Sequence, residues 1–225
     1  MPGPCACANG FGITITDLSG KRLVVGVSGA SGAILGVRLL QVLQGSEVET
    51  HLVVSKWGAR TLIHETPFTL EQAQAFATTA YSHNDQGAPI ASGSFHTNGM
   101  VVVPCSARTL SCIAQGAGDN LIHRAADVTL KERRRLVLVV RETPLSDIHL
   151  ENMLRLSRMG VVIFPPVPAF YNHPCTLEDV IGYTVTRVLD QFDIHLAGAR
   201  RWDGVMSTAK HSAEKLPEEL DLEKS

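Results

Sequence analysis

Leu23-Val24-Val25-Gly26-Val27-Ser28-Gly29-Ala30-Ser31-Gly32 is the stretch that decides the fold. An apolar run enters it. A helical pattern leaves it, with Ile34, Leu35, Val37, Leu39, Leu40, Val42 and Leu43 on helical spacing. A strand that turns through small residues into a helix leaves backbone N–H groups bare at a positive helix end, where phosphates bind. Such a turn is also an ordinary tight connection, so its context decides between the two.

Working outward, the same alternation repeats. Short apolar runs at 22–27, 100–103, 136–140 and 161–164 and the alternating stretch 47–54 read as strands, with 100–103 stopped by Pro104-Cys105-Ser106. Helical patterns fill 31–44, 58–80 with a break at Pro67, 107–116, 119–133, 146–159 and 176–192. Thr69 with Gln72, and Thr176 with Asp179, have capping-box spacing, and Ser146 is an N-cap. Residues 81–99 are polar and Gly-rich and read as a loop. Fully apolar strands alternating with helices predict a parallel α/β sheet covered on both faces. Ligands in such sheets lie beyond the carboxyl ends of the strands. Gly29 to Gly32, Ser55-Lys56, Cys105-Ser106, Arg141-Glu142 and Pro165 to Tyr171 stand at those ends, so nearly every chemically useful residue is expected at one edge.

A chain of 225 residues with 44% hydrophobic and 19% charged residues has a full core. We expect one domain over 21–203, a flexible extension over 1–20 and a polar tail over 204–225. The formal charge of −2 gives no reason to expect nucleic acid. No apolar run approaches the roughly 20 residues that span a bilayer. The N-terminal stretch has neither the basic nor the apolar region of a secretory signal, and no Arg to suit a mitochondrial one. Cys5, Cys7, Cys105, Cys112 and Cys175 are odd in number and irregular, which argues for a reducing, cytoplasmic compartment and against a disulfide framework. Cys5-Ala6-Cys7 lies in the flexible extension. The nine histidines make no ligand spacing, so no metal site is expected. Cys105 directly follows an apolar strand and reads as a buried thiol.

The turn is not G-x-G-x-x-G, and the second strand ends in Ser55-Lys56 rather than in the acid a dinucleotide ribose needs. There is no G-K-[ST] for a nucleoside triphosphate. A mononucleotide such as FMN is the better guess, with Ser31, Ser55, Ser106 and Thr109 as hydroxyl donors. Arg141 and Glu142 end a buried strand together and point to opposite faces, so one can hold an anion while the other handles a proton. Lys131, Arg133, Arg134 and Arg135 form a basic run. Arg187 sits alone in an apolar helix. The proline-rich, aromatic loop from Phe164 to Tyr171 reads as a subunit contact.

Taken together, GVSGASGAILG (26–36), VETHLVVSKW (48–57), SGSFHTNGMVVVPCSARTL (92–110), RAADVTLKERRRLVLVVRETPLSDIHLENML (124–154) and PPVPAFYNHP (165–174), with Arg187 and Arg201-Trp202, resemble the UbiX flavin prenyltransferase family over about residues 22–203. The resemblance implies a three-layer, Rossmann-like or flavodoxin-like α/β fold that binds FMN and assembles as a dodecamer. It implies transfer of a dimethylallyl group from dimethylallyl phosphate, or the diphosphate, to N5 and C6 of reduced FMN, with prenylated FMN passed to a UbiD-type decarboxylase. Gly29, Ala30 and Ser31 match the family's flavin-phosphate turn. Ser55, Ser106, Ala107, Arg108, Thr109 and Arg141 match further flavin contacts. Tyr171, Arg187 and Lys131 match contacts to the donor phosphate, where neighbouring subunits meet. Glu142, Glu65, Lys131 and Trp202 match residues around the reacting centre. Ala107-Arg108 stand where relatives often have Met-Lys, and His96 and Asn98 also depart from the common pattern.

Two other readings stay in view. One is an FMN-dependent cysteine-type decarboxylase, whose relatives carry an early catalytic His and a P-x-M-N-x-x-M-W stretch; Pro104 to Thr109 reads differently here. The other is a non-enzymatic flavin-binding regulatory subunit, which has no use for a second anion site.

Overall fold

Six parallel strands carry the fold. The computed structural model of the chain describes residues 20–199, 201, 202 and 204. The expected extension over 1–20, apart from Gly20, and almost all of the tail lie outside them, as do Cys5 and Cys7. In chain order the elements are β1 (Arg22–Val27), α1 (Ala33–Leu43), β2 (Glu49–Val54), α2 (Lys56–Glu65), α3 (Leu70–Gln74), β3 (Thr79–Tyr81), β4 (Gly99–Cys105), α4 (Ala107–Gln115), α5 (Leu121–Lys131), β5 (Arg135–Val140), α6 (Asp147–Arg158), β6 (Val162–Ile163) and α7 (Leu177–Asp190).

The strands run in the order β3-β2-β1-β4-β5-β6, the doubly wound order. Successive side chains of a strand point to opposite faces, and the core divides accordingly. Leu23, Val25 and Val27 of β1 pack with Leu39 and Leu43 of α1 and Val185 and Leu189 of α7. Val24, with Met100 and Val102 of β4, packs on Leu110 of α4, Ile122 of α5 and Leu156 of α6. Burying each such side chain is worth about 1.5–3 kcal/mol, which is why apolar runs this short suffice to place the strands. The order reverses at β1 and β4, so the crevice beyond their carboxyl ends is the expected ligand site.

Four local expectations differ. β3 lies within a stretch read as helix and loop; it is a three-residue edge strand of mixed burial, with no apolar run to mark it. The second half of 58–80 forms only the short α3, although its capping box is present, with Gln72 N donating to Thr69 Oγ1 at 3.2 Å and Thr69 N to Gln72 Oε1 at 2.8 Å. β4 does not stop at Val103 but runs on to Cys105. A register shift against β5 between Val102 and Cys105 accommodates Pro104, which has no N–H to give the ladder. β6 is reduced to Val162–Ile163.

Candidate active site

The turn after β1 is shaped by two glycines. Gly32, the N-cap of α1, has φ 97°, a left-handed conformation. Gly29 lies so close to α2 that an added Cβ would stand 2.5 Å from Trp57 Cβ. Among the described residues no hydrogen bond engages the backbone N–H groups of Gly29, Ala30 and Ser31. The next two are taken. Glu65, at the end of α2, accepts from Gly32 N at 2.8 Å and Ala33 N at 3.1 Å through Oε2. Burial acts to raise the Glu65 pKa, but the Ser31 hydroxyl, these amides and the charge of Arg141 outweigh it and hold the carboxyl below its usual range. The first turn of α1 therefore already has an internal anion, and the free donors lie one step earlier, at 29–31.

Ser28 ties this turn to the end of β4. Its hydroxyl donates to Pro104 O at 2.8 Å and accepts from Ser106 N at 2.8 Å, fully buried. Ser106 then caps α4, accepting from Thr109 N at 3.2 Å and donating to Thr109 Oγ1 at 3.1 Å. Ser55 caps α2 by accepting from Gly58 N at 2.9 Å. Arg141 continues from β5, its N–H on Cys105 O at 3.1 Å and its side chain exposed, and half-buried Glu142 follows. Glycine amides, capping hydroxyls and Arg141 thus meet at the switch point. This donor set fits FMN: amides without acceptors for its phosphate, and hydroxyls and a guanidinium for its polar edges. Ala107 opens α4. Arg108 instead pairs outward with Asp119 at 2.9 Å. Cys105 is fully buried, and burial pushes its thiol far up, so it is no nucleophile.

A second cluster forms on α7. The Tyr171 and Tyr183 hydroxyls are 2.5 Å apart, and Tyr171 meets the Trp202 ring edge-on at 5.7 Å. Burial and the bond to Tyr171 push the Tyr183 hydroxyl above its usual range. Arg187 Nη1 donates to Asp190 Oδ2 at 2.7 Å, and Arg201 also binds Asp190. This brings together Tyr171 and Arg187, two of the three residues matched to the donor phosphate, and Trp202, matched to the reacting centre. Tyr183, Asp190 and Arg201 had no assigned role. Their signal was the spacing of Tyr183, Arg187 and Asp190, which puts all three on one face of a helix.

Lys131 belongs to neither cluster. It contacts Glu132 beside Gly93, with Arg134 donating to Gly93 O at 2.6 Å and His96 close enough to influence Glu132. Lys131 precedes β5 and Glu142 follows it, and a six-residue strand spans about 20 Å. The end of α7 lies at the same far edge, since Lys21, just before β1, donates to Asp193 O at 3.1 Å. The expectation of a single edge thus holds for Gly29 to Ser31, Ser55, Ser106, Arg141 and Glu142. Lys131 and Arg187, matched to contacts where neighbouring subunits meet, lie at the other edge within one chain: helices that return antiparallel to the strands deliver their last turns there.

Among the described residues no cluster of His, Cys, Asp or Glu could hold a metal ion, and no helix is long and apolar enough to cross a membrane. A sequence model of the flavoprotein family matches residues 13–210. A probable UbiX-like flavin prenyltransferase of Bacillus subtilis is 58% identical over 184 residues, 82% of this chain and 90% of that protein. The crystal structure of AnUbiX (PadA1) in complex with FMN and dimethylallyl pyrophosphate has a TM-score of 0.81 and 52% identity, covering 83% of this chain and 99% of that one. A dodecameric FMN-dependent UbiX-like decarboxylase from Escherichia coli O157:H7 has a TM-score of 0.80 and 56% identity, covering 81% of this chain and 100% of that one. With the turn, the switch point and the α7 cluster all inside the matched span, the chain belongs to the UbiX-like flavin prenyltransferases of the flavoprotein family.

Proposed function

We propose that the protein joins a dimethylallyl group from dimethylallyl phosphate to N5 and C6 of reduced FMN, in sites shared between copies of the chain. The prenylated FMN then serves a UbiD-type decarboxylase. The observation that supports this reading is the pairing of unengaged amides at 29–31 with a separate cluster of Tyr171, Tyr183 and Arg187 whose free donors suit a second anion.

Gly29, Ala30 and Ser31 hold the flavin phosphate, with Ser55, Ser106 to Thr109 and Arg141 along the rest of the cofactor. Reduced FMN, when bound, supplies the electron-rich atoms that accept the prenyl group. Arg187, Tyr171 and Lys131 hold the leaving phosphate; each charged hydrogen bond contributes about 1.5–3 kcal/mol. Trp202 offers its π face to the positive charge that develops on the allyl fragment. Glu142 gives a proton to the departing phosphate oxygen and takes one up later. Glu65 fixes the turn that carries Ser31.

Lys131 and Arg187 reach Glu142 only from neighbouring copies, in a dodecamer like that of the Escherichia coli relative. Exposed Trp57, Val167, Phe170 and Leu177 supply apolar contact surface. The domain runs over 21–203, and free Cys105, Cys112 and Cys175 suit a cytoplasmic setting. Incubating the purified protein anaerobically with reduced FMN and dimethylallyl phosphate should give a flavin heavier by one prenyl unit. Unmodified flavin with both the mono- and the diphosphate donor would sink the assignment.

A further inference from the structure

Four hydrogen bonds converge on the carboxylate of Asp190. Arg187 Nη1 and Arg201 Nη1 donate to Oδ2 at 2.7 and 3.0 Å. Arg201 Nη2 and His195 Nδ1 approach Oδ1 at 2.6 and 2.8 Å. An ionised carboxylate only accepts, so His195 must carry its proton on Nδ1 here, and the roughly four lone-pair sites of the group are filled. The Asp190 side chain is only 7% exposed. Burial acts to raise its pKa, but Arg201 and His195, with the charge of Arg187, bring it below the usual range.

The two arginines are not used alike. Arg201 closes a fork with both terminal nitrogens, the bidentate geometry that fixes a guanidinium most firmly. Arg187 gives Asp190 only Nη1, and among the described residues its other donors have no acceptor. Its side chain is 42% exposed, on the same helix face as Tyr183, whose hydroxyl meets that of Tyr171. Arg187 is therefore held in place without being spent. Two guanidinium charges against one carboxylate leave an excess of positive charge beside the exposed Arg187.

We propose that Asp190 is the positioning and charge-setting residue of the donor site. It aims Arg187 and trims the local positive charge to suit a monophosphate over a diphosphate, which carries more negative charge. This rests on the reading of Arg187 and Tyr171 as donor-phosphate contacts. Removing the carboxylate charge adds to the positive field at that phosphate, and the more highly charged donor gains more from it.

The test compares dimethylallyl phosphate with dimethylallyl diphosphate as donors, at saturating reduced FMN, for the wild type, Asp190→Asn and Asp190→Glu. In Asp190→Asn the ratio of kcat/KM for the diphosphate to that for the monophosphate should rise by about tenfold, mainly through KM. Asp190→Glu should stay near the wild-type ratio, and FMN binding should be unchanged in both. Arg201→Gln removes one positive charge and should move the ratio the other way; it also serves if Asp190→Asn fails to fold. An active wild type whose ratio stays within about twofold in Asp190→Asn, or in Arg201→Gln if that variant is the one that folds, overturns the inference alone. So does an equal loss with both donors, which is what a merely structural role gives. A wild type inactive with both donors overturns the functional reading and this inference with it.

Discussion

The amides of Gly32 and Ala33 go to the Glu65 carboxylate, a residue more than thirty positions away, so the helix end that the motif advertises is closed from within. Glu65→Ala should cost about 1 kcal/mol of stability, the usual loss of an N-terminal acceptor, and Glu65→Gln about half as much. Both are read by urea unfolding. The folded-state pKa of Glu65 lies below its unfolded value, so its contribution is present above the unfolded value and is lost as pH falls through the folded one. The stability gap between the wild type and Glu65→Gln should therefore close on acidification. A gap that persists at low pH contradicts the assignment. Glu142→Gln belongs to the same scale: it should keep FMN but lower turnover by about 10²–10⁴, and unchanged turnover would remove Glu142 from proton transfer. The small residues at 29–31 could be read from sequence because the turn is local. That Glu65 takes the next two amides, those of Gly32 and Ala33, could not, because it arrives from the end of another helix.

Between elements, the buried hydroxyl of Ser28 decides how the ends of β1 and β4 sit, and through Ser106 where α4 begins. Ser28→Ala leaves Ser106 N without its acceptor and Pro104 O with one donor fewer. It should cost about 1–3 kcal/mol, or about 2–12 °C in Tm for a domain of this size; an unchanged melting curve in calorimetry would show that the link is idle. β1 and β5 were legible because buried strands in a parallel sheet are apolar nearly throughout, β2 because Glu47 to Val54 alternates, and the caps at Thr69, Ser146 and Thr176 because a capping box is a local exchange of bonds. β3 was not, since Thr79–Tyr81 pairs on one side only and carries no such run. The end of β4 was misread because a proline usually stops a strand, and only the register against β5 shows how this one is absorbed.

For the whole molecule, a sequence gives the order of residues but not which edge of the sheet a returning helix reaches. Within one chain Lys131 and Arg187 lie away from the edge that carries Arg141, Lys131 about 20 Å from Glu142 along β5, which is compatible with the expectation that they act where neighbouring subunits meet. Subunit mixing tests the shared site. Lys131→Ala and Glu142→Gln should each be nearly inactive alone. Co-assembled at equal amounts, they should recover activity at about a quarter of their sites, because random mixing places an intact Lys131 from one copy against an intact Glu142 from another. No recovery would mean that both residues act within a single chain. The distance along β5 has one more consequence. A chain that has folded but found no neighbours can hold its flavin and still do no chemistry, so turnover should begin only when copies meet, and it should climb faster than in proportion to the amount of chain at low concentration. Dilution would then silence the protein while every helix stays intact.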